Sequence, residues 1–273
     1  GVLKTLMQNI LDNSYIKQEQ FALSSALGVL SVLAGRKFEF QGVASNLYLL
    51  NVGPSGCGKD KPQKKAIEYL IDMGCERLIG ATDYGSDAGI VDSLETQPVR
   101  LDIIDEASKV LKSISGSKSE HSAKGGDILT ELYTSSTSKY LGRALAEGRK
   151  GAVHRPCLSI LASTTPEGLS ESVTKKSIAK GLLGRFMIFQ SNNNPSNRVK
   201  SNTQLDNKTL NHLRWVAGYE PPIDMKRAVN NIGQKVYDVH AETKADEQLD
   251  KYFREFDDIR TSLSQNDSML PIV

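Results

Sequence analysis

Residues 46–62 read NLYLLNVGPSGCGKDKP, and the expected arrangement of strands and helices follows from this segment. Its first part, residues 46–52, is an apolar run typical of a strand that a parallel sheet buries on both faces. Residues 53–59 match the pattern GxxxxGK, and a helical pattern occupies residues 62–73. Strand, glycine loop and helix therefore stand in the order that a phosphate-binding loop requires.

The loop also has the composition that binding a phosphate chain needs. Gly53 and Gly58 let successive backbone N–H groups turn inward without a clashing Cβ, and Lys59 reaches the outer phosphates. The helix that follows adds the positive end of its dipole. The sequence therefore predicts a nucleotide site, with a glycine-rich turn that holds no ligand as the alternative. The predicted nucleotide-binding residues are Gly53, Pro54, Ser55, Gly56, Cys57, Gly58, Lys59 and Asp60.

Asp60 departs from the usual pattern, in which a Ser or Thr follows the lysine and offers its hydroxyl to Mg²⁺. A carboxylate is itself a good ligand for Mg²⁺, although it brings negative charge close to the phosphates. We expect Asp60 to bind the metal directly or through water. The alternative is that Asp60 caps the following helix, which is compatible with the metal role.

A second motif, residues 101–106 (LDIIDE), places two carboxylates after an apolar run that Asp102 interrupts. We expect Asp105 to hold the Mg²⁺ shell and Glu106 to polarise the attacking water. An acidic pair after a strand is common in proteins. This acidic pair lies downstream of Lys59, on a separate strand. We therefore treat Glu106 and Lys59 as catalytic candidates.

Two further segments place polar groups next to strands. In residues 161–166 (LASTTP), Ser163 or Thr164 is expected to sense the γ-phosphate and orient the water, with a helix cap before the proline as the alternative.

In residues 181–186 (GLLGRF), Arg185 precedes a strand that we place at the far side of the sheet from the loop. We expect Arg185 to stabilise transition-state charge in a neighbouring subunit's site; an exposed arginine at a helix end is the alternative.

The rest of the pattern alternates strands with helices, which is typical of an α/β sheet. Further strands are predicted at residues 78–81, 101–104, 158–162 and 186–189. Helices are predicted at residues 16–33, 88–94, 126–134, 166–172, 209–215 and 228–259. The composition of residues 111–125 predicts a mobile loop. The polar residues 191–200 predict a boundary between the core and the C-terminal segment. The predicted organisation is a helical segment at 1–35, a P-loop core at 36–195 and a truncated helical segment at 196–273.

The composition limits the class of protein. Of 273 residues, 39% are hydrophobic and 24% charged, which is ordinary for a globular protein. No apolar run approaches the roughly 18 residues of a membrane span, and the first residues lack the order of a secretory signal. The three cysteines are widely spaced, so we expect no disulfide framework and a cytoplasmic location, in a bacterial host if the source is a phage. The net charge of +2 says little about partners.

Four motifs in this order, GPSGCGKD, DIIDEA, ILASTTPEG and LLGRFMIF, resemble the AAA+ superfamily of ring-forming ATPases. The pattern is similar to phage and plasmid ATPases described as primase-associated replicative helicases, and it covers about residues 22–190. The last motif looks like the arginine-finger segment of the minichromosome-maintenance helicases. The resemblance implies ATP and Mg²⁺ as cofactors, assembly into a hexameric ring and ATP-driven translocation on DNA, most often single-stranded.

Residues 139–155 point to nucleic acid independently. Two short β-compatible pieces flank Gly-Arg-Lys-Gly, which predicts a hairpin with a basic tip. Helicases similar to the minichromosome-maintenance group insert such a hairpin before the sensor strand, so phosphate contacts are expected there. A solvated basic turn is the alternative, and His154 is expected to be structural. The predicted DNA-binding residues are Arg149, Lys150, Arg143 and Lys139.

The sequence thus predicts an AAA+-like ATPase that acts as a replicative DNA helicase. Two other functions stay open at this point. A DNA-packaging or remodelling ATPase would use the same core without separating strands. A P-loop kinase or a nucleotide-gated scaffold would not be a motor, and the segment around Arg185 argues against it.

Overall fold

The computed structural model describes residues 1–114, 120–145, 148–173, 181–191, 203–220, 237–239 and 243–265. Its helices are α1 (Val2–Asn13), α2 (Glu19–Ala34), α3 (Asp60–Asp72), α4 (Asp87–Thr96), α5 (Ala107–Ile114), α6 (Glu120–Thr134), α7 (Pro166–Ser172), α8 (Asn207–Gly218) and α9 (Thr243–Gln265). Its strands are β1 (Phe38–Phe40), β2 (Val43–Ala44), β3 (Tyr48–Val52), β4 (Val99–Ile104), β5 (Lys139–Tyr140), β6 (Arg143–Leu145), β7 (Gly148–Lys150), β8 (Val153–His154), β9 (Cys157–Thr164), β10 (Phe186–Gln190) and β11 (Tyr237–Val239).

Four parallel strands form the central sheet, in the order β10-β3-β9-β4. The two middle strands, β3 and β9, are buried along their whole length. This agrees with their apolar sequences, because strands covered on both faces cannot alternate with exposed polar residues. After β3 the chain forms β4 and then returns to insert β9 between them. The carboxyl ends of all four strands therefore lie along one edge of the sheet.

Helices cover both faces of this sheet. Leu49 and Leu161 belong to a core shared with α1, α2 and α3, whereas Tyr48 and Leu50 belong to a second core shared with α4, α5 and α6. Successive residues of a strand point to opposite faces, which explains the division. The predicted α/β class, with a parallel sheet flanked by helices, is confirmed. This architecture is compatible with a P-loop fold.

Small β-elements lie outside the central sheet. β1 pairs with β11 in parallel and with β2 in antiparallel orientation. Two further antiparallel pairs, β5 with β8 and β6 with β7, follow α6 in the chain and precede β9. These two pairs form one interrupted hairpin, because β6 and β7 lie between β5 and β8 in the sequence.

The predicted strand at residues 78–81 is wrong in extent. A 3₁₀-helix covers Glu76–Leu78, and Ile79 then forms a single parallel bridge with Leu101 beside β4. The Ala81 N–H donates to the Asp102 side chain, which takes it out of a regular ladder.

The predicted loop at residues 111–125 is also wrong where the structure describes it, since α5 runs to residue 114 and α6 starts at residue 120. Val110 and Leu111 are buried in the same core as Ile128, so both helices gain from packing together. Residues 228–259 are not one helix either, because residues 237–239 form β11 before α9 begins. Most of the predicted boundary at 191–200 lies outside the described residues. None of the helices in the described ranges is long and apolar enough to cross a membrane.

Candidate functional site

The loop between β3 and α3 turns at its glycines. Gly56 and Gly58 have φ angles of 74° and 91°, the left-handed region where a side chain would be strained. At Gly53 a Cβ would lie 2.7 Å from Cys57 Sγ and 3.0 Å from Phe21 Cζ, so the loop closes tightly over its own start. Within the described part of the chain, the N–H groups of Gly56 and Gly58 have no protein acceptor. They are therefore available to an anion.

Lys59 folds back over this loop. Its Nζ donates to the carbonyl oxygens of Gly53 at 2.5 Å and Pro54 at 2.7 Å, and lies 3.9 Å from Cys57 Sγ. Burial raises the pKa of the Cys57 thiol, although the Lys59 ammonium acts in the opposite direction. The thiol is therefore neutral at neutral pH, and Lys59 is the positive charge that the loop itself carries.

Hydrogen bonds fix this loop and α3 against the carboxyl edge of the sheet. The Gly53 N–H donates to the Thr164 carbonyl at 3.2 Å, which joins the loop to the end of β9. The buried Gln63 amide donates to the carbonyls of Ile104 at 3.4 Å and Leu161 at 3.2 Å. The first turn of α3 therefore lies over β4 and β9, and its N-terminus faces the carboxyl edge of the sheet. Sequence reasoning missed Gln63, because its partners are distant in the chain.

Asp105 and Glu106 follow β4 directly, and both are exposed. β4 and β3 are separated by β9 alone, so their axes lie about 10 Å apart. The acidic pair and the glycine loop therefore share one edge of the sheet. Mg²⁺ usually takes one or two carboxylates and completes its shell with phosphates and water.

Asp60 is the first residue of α3, and its Oδ2 lies 3.3 Å from Lys64 Nζ in an exposed ion pair. The residue at the cap position is Lys59, and no side chain caps this helix. The interpretation of Asp60 as a helix cap is therefore wrong. Asp60 therefore lies at the start of α3, next to the loop, with its carboxylate paired to Lys64.

The three hydroxyls at the end of β9 occupy different environments. Ser163 is completely buried and stands in register with Asn51 of β3, on the face that carries Leu161. Its hydroxyl has no hydrogen-bond partner within the described residues. Thr164 is 5% exposed, and its carbonyl accepts a hydrogen bond from the Gly53 N–H of the loop. Thr165 accepts from the Gly168 N–H and caps α7, so a helix cap exists but belongs to this third hydroxyl.

Arg185 lies at the amino ends of the sheet strands, away from the carboxyl edge where the glycine loop begins. It ends a 3₁₀-helix, Leu183–Arg185, immediately before β10, and its Nη1 donates to the Gly181 carbonyl at 2.6 Å. β10 pairs directly with β3, so the expectation that this strand lies far from the loop strand is wrong. Arg185 is instead separated from the loop along the strand direction. Phe186 stands beside Tyr48, so Arg185 lies about six residues before the level of Gly53, which is roughly 20 Å at 3.3 Å per residue. Arg185 is half-buried rather than an exposed helix-end residue.

The basic segment forms the predicted hairpin, but its arrangement differs from the prediction. Arg143 stands opposite Lys150, and Ala144 opposite Arg149. Residues 146–147 lie outside the described residues, and Arg149 and Lys150 belong to the strand β7 and not to a tip. Lys139 pairs in register with His154 nearer the sheet. The four predicted DNA-binding residues are thus distributed along both arms.

A buried ionic group that the sequence did not predict lies beside the acidic strand. Asp102 is completely buried. Its Oδ2 accepts two hydrogen bonds, one from Arg100 Nη2 at 3.2 Å and one from Tyr84 Oη at 2.7 Å. Burial raises the pKa of Asp102, and the Arg100 guanidinium opposes this increase. Together with the bond from Ala81, these contacts tie residues 81–84 to β4, and so hold the strand that ends in the acidic pair.

In comparisons with known proteins, no protein-family model and no curated protein matches this chain. What the structure defines is an α/β protein whose four parallel strands end, on one edge, in a glycine loop and an acidic pair.

Proposed function

We propose that this protein is a P-loop nucleoside triphosphatase that binds ATP with Mg²⁺ and hydrolyses it. The observation that carries the proposal is the loop from Gly53 to Lys59 at the carboxyl end of β3. Two of its glycines have left-handed backbones, their N–H groups have no acceptor in the described residues, and α3 begins directly after it. Such a loop at a helix N-terminus is the arrangement that surrounds a phosphate with N–H donors.

The roles of the other residues follow from the shared edge. When ATP binds, Lys59 exchanges its two loop carbonyls for phosphate oxygens, which are stronger partners because they are charged. Asp60 and Asp105 would hold Mg²⁺, and Glu106 would orient the attacking water. Thr164 lies between these groups, at the end of the middle strand. The bound ion would neutralise part of the charge of the phosphate chain.

We further propose that the ATPase works as a ring-forming motor on DNA, and that its function is that of a replicative helicase. The hairpin supports the nucleic-acid part, because its register sets Arg143 opposite Lys150. Basic residues that one two-stranded element brings together are suited to contact a phosphate backbone. The position of Arg185, far from its own loop along the strand, supports a role across a subunit interface.

The nucleotide proposal is tested with Lys59→Ala. Losing the loop's charge should abolish hydrolysis and weaken ATP binding by at least tenfold, since hydrogen bonds to charged groups contribute about 1.5–3 kcal/mol. ATP affinity is measured by calorimetry and turnover by phosphate release. Lys61→Ala is the matched control, because Lys61 lies two residues further on and pairs with Glu68. Near-normal turnover in Lys59→Ala would contradict the proposal.

The motor part of the proposal is tested by adding DNA to the phosphate-release assay and by a separate strand-separation assay. Single-stranded DNA should raise the ATPase rate of the native protein, and a forked duplex should be separated only when ATP is present. Stimulation without strand separation would favour a packaging or remodelling ATPase. Phosphate transfer to an acceptor, without any effect of DNA, would favour a kinase.

A further inference from the structure

The segment between α1 and α2 packs against the phosphate-binding loop. Ile16 approaches Gly58 so closely that a Cβ on the glycine would lie 2.9 Å from the Ile16 Cβ. Phe21, in the first turn of α2, lies equally close to Gly53. Between them stands Gln18, the residue that precedes α2, which is 3% exposed. A buried, polar, flexible side chain at this position needs an explanation, because burial costs it both hydration and rotamer freedom.

Both ends of the Gln18 amide are engaged. Its Nε2 donates to the Cys57 carbonyl at 3.0 Å, and its Oε1 accepts from the Ser191 hydroxyl at 2.5 Å. Ser191 is itself held, since its N–H donates to the Val52 carbonyl at 3.0 Å, directly after β10. Gln18 therefore connects the loop peptide to a fixed point at the end of the neighbouring strand.

The bond to Cys57 acts on one particular peptide. The Cys57 carbonyl and the Gly58 N–H belong to the same planar unit, and in a trans peptide they point in opposite directions. No cis peptide occurs in the described residues. A donor that holds the carbonyl towards α2 therefore turns the Gly58 N–H away from α2. With a φ of 91°, Gly58 has no side chain that would fix this peptide sterically.

We infer that Gln18 is a positioning residue of the nucleotide site: it holds the Cys57–Gly58 peptide so that the Gly58 N–H donates to the phosphate chain. The inference rests on the proposed nucleotide site and adds to it a residue 39 positions before the loop carbonyl it binds. Without this bond the peptide is free to rotate, and the glycine loop must be ordered each time a nucleotide binds. Preorganising it removes that cost from the binding free energy.

Gln18→Met is the direct test, because methionine has similar length but neither donates nor accepts strongly. ADP and ATP affinity should fall about tenfold, the effect of losing one well-oriented hydrogen bond to a charged group. In the native protein, the amide proton of Gly58, followed by NMR, should shift strongly when ADP is added, and in Gln18→Met it should shift much less. Gln8→Met is the matched control, since Gln8 lies on α1 in an exposed bond to Asp12.

Ser191→Ala provides a second variant should Gln18→Met fold poorly. It leaves the donor in place and removes only the group that orients the amide, so a smaller loss in the same direction is expected. ADP affinity and a Gly58 shift equal to those of the native protein in both variants would overturn the inference while leaving the nucleotide site intact. If the native protein binds neither ADP nor ATP, the proposed function fails and this inference with it.

Discussion

The carboxylates of Asp105 and Glu106 are adjacent in sequence and equally exposed, yet we expect them to do different work. Glu106→Gln should bind ATP normally but hydrolyse it at least a hundredfold more slowly, since an amide cannot accept a proton from water. Asp105→Ala should instead weaken binding when Mg²⁺ is present and have little effect when it is chelated. Single-turnover hydrolysis and Mg²⁺ titrations measure the two effects. If both variants show the same defect, the division of roles is wrong.

At the scale of single residues, the sequence predicted the loop well and its surroundings poorly. Gly53, Gly58 and Lys59 could be assigned to the connection between β3 and α3, because the pattern GxxxxGK lies within seven consecutive residues. Gln18 and Gln63 could not, because each contacts carbonyls at least 39 positions away, and the pattern around them reads simply as buried helix. Long-range partners of this kind leave no periodic signal.

Asp102 shows a related difficulty. In the sequence it interrupts an apolar run and weakens the case for a strand. In the structure it is the centre of a buried network with Arg100 and Tyr84, and it strengthens the attachment of β4 to its neighbours. A buried charge is tolerated only when it is paired and hydrogen-bonded, and the partners that satisfy this condition become visible only after folding.

At the scale of elements, the hairpin should carry affinity for DNA that does not depend on sequence. Replacing Arg149 and Lys150 together by Ala should weaken binding and reduce the slope of log affinity against log salt by roughly one unit for each lost phosphate contact. Both residues lie on one arm, so the change removes charge without touching the turn. Fluorescence anisotropy at several salt concentrations measures both quantities, and unchanged affinity and slope would remove the hairpin from the mechanism.

Arg143 and Lys139, on the opposite arm, provide the comparison within the same element. If the phosphate backbone follows the hairpin along both arms, Arg143→Ala should lower the slope further. An effect confined to Arg149 and Lys150 would indicate that DNA contacts one arm alone. In either case the ATPase rate without DNA should stay that of the native protein, because β6 and β7 pair with each other in a sheet separate from the central one.

Elements with strong periodicity were predicted at the right place, and those defined by pairing were not. The strands later seen as β4, β9 and β10 and the helix α7 could be predicted because each is an unbroken apolar or amphipathic segment. At β11 the sequence predicts helix, since three residues alone do not show that β1 is available as a partner. It likewise predicts a full strand where Ile79 forms a single bridge, because nothing local shows that Asp102 accepts from the Ala81 N–H.

At the scale of the whole molecule, the decisive question is whether a second subunit completes the proposed nucleotide site. The strand order places β10 directly beside β3, which corrects the predicted arrangement, but the register keeps Arg185 at the edge away from the loop. Within one chain the guanidinium would have to cross roughly 20 Å of sheet to reach its own γ-phosphate. In a ring with head-to-tail interfaces, each subunit presents one edge to the other edge of its neighbour.

Arg185→Ala should therefore leave ATP binding intact and reduce hydrolysis by roughly 10³-fold, the low end of what an arginine supplied in trans contributes. The test is to mix it with Lys59→Ala, which keeps Arg185 but has no functional loop. In a one-to-one mixture, about a quarter of head-to-tail interfaces should pair a native loop with a native Arg185, and activity should reappear in proportion. The double variant, mixed with either single variant, restores no such interface and is the control. Absence of recovery between subunits shown to exchange would place the action of Arg185 within its own chain, where its bond to the Gly181 carbonyl supports the turn before β10.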